Sequence, residues 1–168
     1  RMQSWAEEKN ILSSAQYGFR SRLSTIDQGL NFHLITSKYT NAKSEVLYTA
    51  FMDLSQAFEC VVRDKLWNIL FNLGLDPHLV IFLRQLHANN TARVSMDSKG
   101  GTSRAFEIKK GVRQGCIMTP FLFNIYTNDL EAYLCKSAED SPRIGQLRLP
   151  LLLYADDAVL ISRTARGL

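Results

Sequence analysis

A chain of 168 residues has the length of one domain, and a composition 46% hydrophobic and 21% charged suits a packed core and argues against a disordered chain. The net charge of +4, from 20 Lys and Arg against 16 Asp and Glu, permits contact with nucleic acid without demanding it. No apolar run approaches the ~20 residues of a membrane span, and the opening RMQSWAEEKN has no signal-peptide pattern.

Taken in chain order, the first element is a helix from Ser24 to Ala42. Ser24 and Asp27 form a capping pattern, and Ile26, Leu30 and Leu34 recur at helical spacing. Val46 to Leu54 is apolar until Asp53 and reads as a buried strand that delivers this aspartate at its end. A helix from Asp64 to Leu73 follows, with Gly74 placed to end it, and Asp76-Pro77 opens another. Thr91 to Asp97 and Arg104 to Ile108 read as two strands around the loop SKGGTS. Pro120 to Leu134 reads as one helix with Pro120 in its first turn, and Lys136 to Gly145 as a polar surface loop. LRLPLLLYADDAVLIS has two apolar arms around Asp156-Asp157, which predicts a hairpin with two carboxylates at its tip. The pattern predicts an α+β fold, a mostly antiparallel sheet with helices packed on one face.

Cys60, Cys116 and Cys135 are odd in number and widely spaced, which fits no disulfide framework and points to a reducing intracellular compartment. His33, His78 and His87 form no metal-binding pair and read as core or solvent histidines. The acids are more informative. Asp53, Asp156 and Asp157 end apolar strands, where neighbouring carboxylates repel and lose hydration. They read either as turn decoration or as ligands of a divalent cation such as Mg²⁺, which takes hard oxygen donors. A phosphoaspartyl phosphatase needs Asp-x-Asp where Asp53-Leu54-Ser55 stands, and a receiver domain places its acidic pair first.

AQYGFRSRLSTIDQ, FMDLSQAFECVVRDKLW, GVRQGCIMTPFLFNIYTNDL and LLLYADDAVLIS, in this order, resemble the successive motifs of a reverse transcriptase, closest to those of non-LTR retrotransposons (long interspersed elements). The resemblance runs from about Ala15 to Ser162. It implies a right-hand polymerase fold, with residues 1–45 part of the fingers, 46–168 mostly palm, and the thumb absent. It implies RNA-directed DNA polymerisation with two Mg²⁺ (or Mn²⁺) ions, deoxynucleoside triphosphates, an RNA template and a DNA primer, no membrane, and a nuclear or cytoplasmic setting. Asp53 and Asp156 are then metal-binding carboxylates, Leu54 adds a backbone carbonyl, and Asp157 is the less direct partner in the YADD turn.

By the same resemblance Phe58 is the steric gate against a ribose 2′-hydroxyl; periodicity alone makes it a core aromatic. Gln114 and Gly115 lie near the nucleotide. Arg20 reads equally as a triphosphate ligand and a solvated arginine, and Arg113 has the same two readings. Asn124 bonds backbone or template. Tyr154 and Ala155 lie near the primer terminus, or Tyr154 packs. Thr119, Glu59 and Val62 depart from the family pattern without removing a metal ligand. Two other readings are an inactive retroelement remnant and a group II intron or telomerase-like polymerase. A start at Arg1 and six residues after Ser162 lead us to expect a truncated piece of a longer enzyme.

Overall fold

Short apolar runs separated by capping residues and glycines dictate short elements, and the computed structural model is built from them. It describes residues 1–41, 46–96, 101–137 and 140–168. The helices are α1 (Met2–Glu8), α2 (Thr25–Thr40), α3 (Arg63–Asn72), α4 (Pro77–His87), α5 (Thr119–Tyr126) and α6 (Leu130–Ser137). The strands are β1 (Tyr48–Asp53), β2 (Thr91–Ala92), β3 (Phe106–Glu107), β4 (Arg143–Ile144), β5 (Leu147–Arg148), β6 (Leu151–Tyr154) and β7 (Asp157–Ser162).

The main sheet is antiparallel in the order β1-β7-β6. In β6 three leucines in a row are buried. Successive strand residues face opposite sides, so such a run needs cover on both. Leu152 and Ile161 pack with Ile35 and Tyr39 of α2. Leu151, Leu153 and Ala158 pack on the other face with Ala15 and with Leu130 and Leu134 of α6. The expectation of helices on one face is therefore corrected: this sheet has a helix on each. A separate, larger core joins α1, α3, α4 and α5 through Ala6, Leu66, Trp67, Leu70, Leu83, Leu122 and Ile125.

β1 is shorter than the predicted Val46–Leu54 strand and is not buried. Phe51 is 70% exposed, and Met52 and Leu54 are also exposed. α2 lies along β6, two strands away, and meets β1 at its edge, where the Phe32 ring lies 5.7 Å from that of Phe51. The stripe Ile26, Leu30 and Leu34 is likewise exposed, while Gln28, Ile35 and Tyr39 of α2 are buried.

The single helix predicted from Pro120 to Leu134 is two. At the break Thr127 donates to the Phe123 carbonyl at 3.1 Å, and the Asn128 side chain donates to the Ile11 carbonyl and accepts from the Ser13 amide. Polar side chains that bond backbone compete with helix continuation. The predicted surface loop, Lys136 to Gly145, contains β4, which pairs with β5 just beyond it, and Lys136 belongs to α6. β2 and β3 are shorter than predicted, with a separate bridge at Ser95 and Thr102. Ala42, Asp97 and the first half of the SKGGTS loop lie outside the described residues.

Candidate active site

Antiparallel pairing fixes where the acids meet. β1 and β7 run in register from Tyr48–Ser162 to Asp53–Asp157. Directly opposed residues in such a pair have Cα atoms ~4.5–5.5 Å apart and side chains on one face. Asp53 and Asp157 are thus cross-strand neighbours, both solvent-exposed, and Asp156 sits half-buried in the turn that closes β6 onto β7. Like charges directly opposite destabilise a sheet. Among the described residues no three His, Cys, Asp or Glu side chains form a ready-made cage. Mg²⁺ does not require one, since it takes one or two carboxylates and completes its shell with water and phosphate oxygens. An opposed, exposed pair of carboxylates fits that donor set.

The turn itself is held from outside the hairpin. Ala155 has φ +58, which an L-residue adopts at a cost. The Gln16 side chain, 3% exposed, donates to the Ala155 carbonyl at 3.1 Å and accepts from the Ala155 amide at 2.9 Å. The same Gln16 oxygen accepts from the Gly18 amide at 2.7 Å. Residues 15–17 run parallel to the edge of β6, with bonds from Leu153 N–H to the Ala15 carbonyl and from Tyr17 N–H to the Leu153 carbonyl. Buried Gln28 of α2 donates to the carbonyls of both Ala15 and Leu153. A Cβ on Gly18 would stand 2.2 Å from the Ala155 nitrogen, so only glycine fits. Asn124, 3% exposed, donates to the Gly18 carbonyl at 2.8 Å, the backbone alternative of its two readings.

A second group of predicted residues lines one cavity. Phe58, Gln114 and Gly115 share a space of about 380 Å³ with Phe19, Cys116, Ile117, Thr119 and Pro120. Phe58 is half-buried, its ring 4.8 Å from that of Phe123. Backbone bonds from Val112 N–H to the Phe58 carbonyl and from Gly111 N–H to the Val61 carbonyl stitch the Gln114 segment to the Phe58 turn. Gly111 has φ +84, and a Cβ there would lie 2.7 Å from the Glu59 Cα. Gln114 also donates to the Glu59 carboxylate.

A neighbouring basic cavity of about 390 Å³ shares Gln114 and is lined by Arg63, Asn90, Lys109, Lys110 and Arg113, among others. Arg113 donates to the Asn90 side chain at 2.7 Å. The Arg63 guanidinium, bonded to the carbonyls of His87, Lys110 and Gly111, is held below its usual pKa by burial and then by Arg113. Arg20 is committed elsewhere. It makes a two-pronged ion pair with Glu7, at 2.7 and 3.1 Å, and donates to the carbonyls of Ser13 and Gln16. Tyr154, half-buried, lines an apolar cavity with Asp157, Phe51 and Phe32.

The sequence reading did not single out Gln16, Gly18, Gln28 or Asn90. The available signal for the first two was their place in AQYGFR, just before Arg20.

Acids at one end of an antiparallel sheet, a hairpin turn between them, and an aromatic-walled cavity beside them are consistent with a polymerase palm and fingers fold. The chain belongs to the reverse transcriptase family, whose sequence model, "Reverse transcriptase (RNA-dependent DNA polymerase)", matches residues 1–168. It is 28% identical over 153 residues to a "Retrovirus-related Pol polyprotein from type-1 retrotransposable element R2" of Popillia japonica, covering 89% of this chain and 21% of that protein. It is 29% identical over 169 residues to a "Probable RNA-directed DNA polymerase from transposon BS" of Drosophila melanogaster, covering 96% and 17%. The "RNA-directed DNA polymerase from mobile element jockey" of the same fly is 25% identical over 155 residues, covering 89% and 15%. The chain thus spans 15–21% of the length of these relatives. Among solved structures, apo telomerase of Candida tropicalis, truncated from its C-terminal domain, superposes with a TM-score of 0.63 at 18% identity. That likeness covers 99% of this chain and 33% of the telomerase, and speaks for the fold alone.

Proposed function

We propose that this chain is the palm and part of the fingers of a non-LTR retroelement polymerase, which copies RNA into DNA by nucleotidyl transfer. The observation that carries the reading is the register that sets Asp53 opposite Asp157 beside Asp156. Residues 1–45 belong to the fingers and 46–168 mostly to the palm. Such an enzyme works on an RNA template with a DNA primer, in the nucleus or cytoplasm.

Asp53 and Asp156, with the Leu54 carbonyl and Asp157 beside them, hold two Mg²⁺ or Mn²⁺ ions. When bound, divalent ions supply Lewis acidity to the attacking 3′-oxygen and neutralise charge on the transferred phosphate. Phe58 walls the cavity where a 2′-hydroxyl would project and favours deoxynucleotides. Gln114 bonds a base or sugar edge, and Gly115 lets the backbone come close. Tyr154 and Ala155 border the primer terminus. Arg113 lies in the basic cavity suited to a phosphate backbone. Asn124 supports the site through Gly18, and Arg20, engaged by Glu7, braces the segment that carries Gln16.

Primer extension on poly(rA)/oligo(dT) with deoxythymidine triphosphate and Mg²⁺ or Mn²⁺ tests the reading. Incorporation that Asp53→Asn or Asp156→Asn reduces by a factor of ~10³ or more supports it, as removal of a main electrostatic contributor does. Incorporation that survives both substitutions overturns the site assignment. No incorporation by this chain, with activity restored by appending flanking sequence, marks it as a fragment of an enzyme; no incorporation by either favours the inactive remnant.

A further inference from the structure

We infer that Gln16 is a positioning residue for the catalytic hairpin: its side-chain amide grips the Ala155 backbone at both N–H and C=O and so sets where Asp156 and Asp157 stand. The inference rests on the polymerase reading for its consequence, and on the hydrogen bonds alone for its geometry.

Ala155 is the first residue of a two-residue turn between Tyr154 and Asp157. Its φ of +58 puts it where a Cβ crowds the backbone, and such residues persist only where surroundings over-determine them. A hairpin turn normally leaves its outward N–H and C=O to water. Here the turn is capped by one amide that matches both groups, at 2.9 and 3.1 Å. An isolated two-point grip would swing with its own chain. This one does not, because its segment is fixed three further times. Residues 15–17 bond the β6 backbone, Gln28 bonds Ala15 and Leu153, and Asn124 bonds Gly18. Gly18 is pressed so close to Ala155 that no side chain fits between them. Gln16 is also nearly inaccessible, so water cannot replace its bonds easily. The carboxylates begin one residue after the gripped backbone. Displacement of Ala155 moves Asp156 directly and shifts Asp157 out of register with Asp53.

The test is made on the 168-residue chain with Gln16→Leu, which removes donor and acceptor at similar size. Amide exchange of Ala155, read by NMR, is expected to quicken at least tenfold, while Leu122 in the helical core stays protected. Mn²⁺ affinity, read by electron paramagnetic resonance of the free ion, is expected to fall at least threefold. Adding Ala155→Gly to Gln16→Leu is expected to recover affinity, because glycine takes a positive φ without strain. In primer extension kcat falls at least tenfold with the nucleotide KM within twofold. Should Gln16→Leu not fold, Gln16→Glu keeps the acceptor and loses the donor, and a smaller change in the same two readouts is expected. Unchanged Ala155 exchange and Mn²⁺ affinity in a folded variant overturn the inference. If the unaltered chain binds Mn²⁺ no better than Asp53→Asn, the carboxylate site fails instead, and Ala155 exchange still judges the grip.

Discussion

On the proposed reading, sugar selection turns on Phe58. Its ring walls the cavity shared with Gln114 and Gly115 and rests on Phe123. Phe58→Val shortens the wall and surrenders a ring contact worth about 1 kcal/mol. The expected result is at least tenfold greater use of ribonucleotides relative to deoxynucleotides in primer extension, with the fold kept. An unchanged ratio removes the gate assignment. His87 is a second residue with a readable consequence. It is 2% exposed and packs against Trp67, the ring centres 5.3 Å apart and the planes tilted by 56°. Its Nδ1 faces the Leu83 carbonyl at 2.9 Å, which assigns the proton there and leaves Nε2 buried without a hydrogen-bond partner. Burial, then the charges of Arg63 and Arg113, push the imidazole below its usual 6.5, against an opposing contribution from the Leu83 bond. The unfolded chain therefore takes up the proton first as pH falls. This contribution to stability is intact above about pH 6.5 and is lost as pH drops through the lower folded value. The urea midpoint is expected to fall between about pH 7.5 and about pH 5.5, and His87→Phe to flatten that dependence. Equal slopes in both proteins exclude His87 as the cause.

At the scale of elements, end signals proved more legible than faces. Ser24 and Asp27 form a full capping box, with bonds in both directions, as their spacing predicts. Ser24→Ala is expected to cost about 1 kcal/mol and to lower the melting temperature by a few degrees, measured by circular dichroism. A melting temperature equal to that of the unaltered chain shows that packing alone holds α2. Asp76-Pro77 starts α4 as read, with the Asp76 carboxylate accepting the His78 amide at 2.7 Å. Which side of an element is buried was less legible. Apolar spacing in α2 pointed to Ile26, Leu30 and Leu34, yet Gln28 faces inward because its amide satisfies two backbone carbonyls. β1 is apolar for the same length as a core strand, but whether a helix covers it depends on where α2 lies. The split of the predicted Pro120–Leu134 helix likewise turns on Ile11 and Ser13, more than a hundred residues away.

For the whole molecule, the proposed metal site would link stability to divalent cations through the carboxylate pair. Asp53 and Asp157 oppose each other across β1 and β7, an arrangement of like charges that a bound cation would favour. A ligand that binds only the folded state stabilises it in proportion to RT ln(1 + [L]/Kd). Millimolar Mg²⁺ is therefore expected to raise the melting temperature of this chain and to leave that of Asp53→Asn nearly unmoved. Equal shifts in the two proteins mean that the ion acts elsewhere. The basic cavity around Arg63, Lys110 and Arg113 gives the modest net charge of +4 a location beside the Gln114 segment.

By itself the sequence determined what is local. Two apolar arms around Asp156-Asp157 make a hairpin, an apolar run makes a strand ending on Asp53, and proline, glycine and capping residues mark helix ends. These depend on backbone preferences within a few residues, and the order of motifs was enough to identify the family. Only the tertiary structure decided which strand Asp53 pairs with, that Arg20 is taken by Glu7, and that Gln16 holds the Ala155 turn. Each of those depends on groups distant in sequence meeting at hydrogen-bond distance. No period or spacing encodes that; it follows from how the sheet and helices pack.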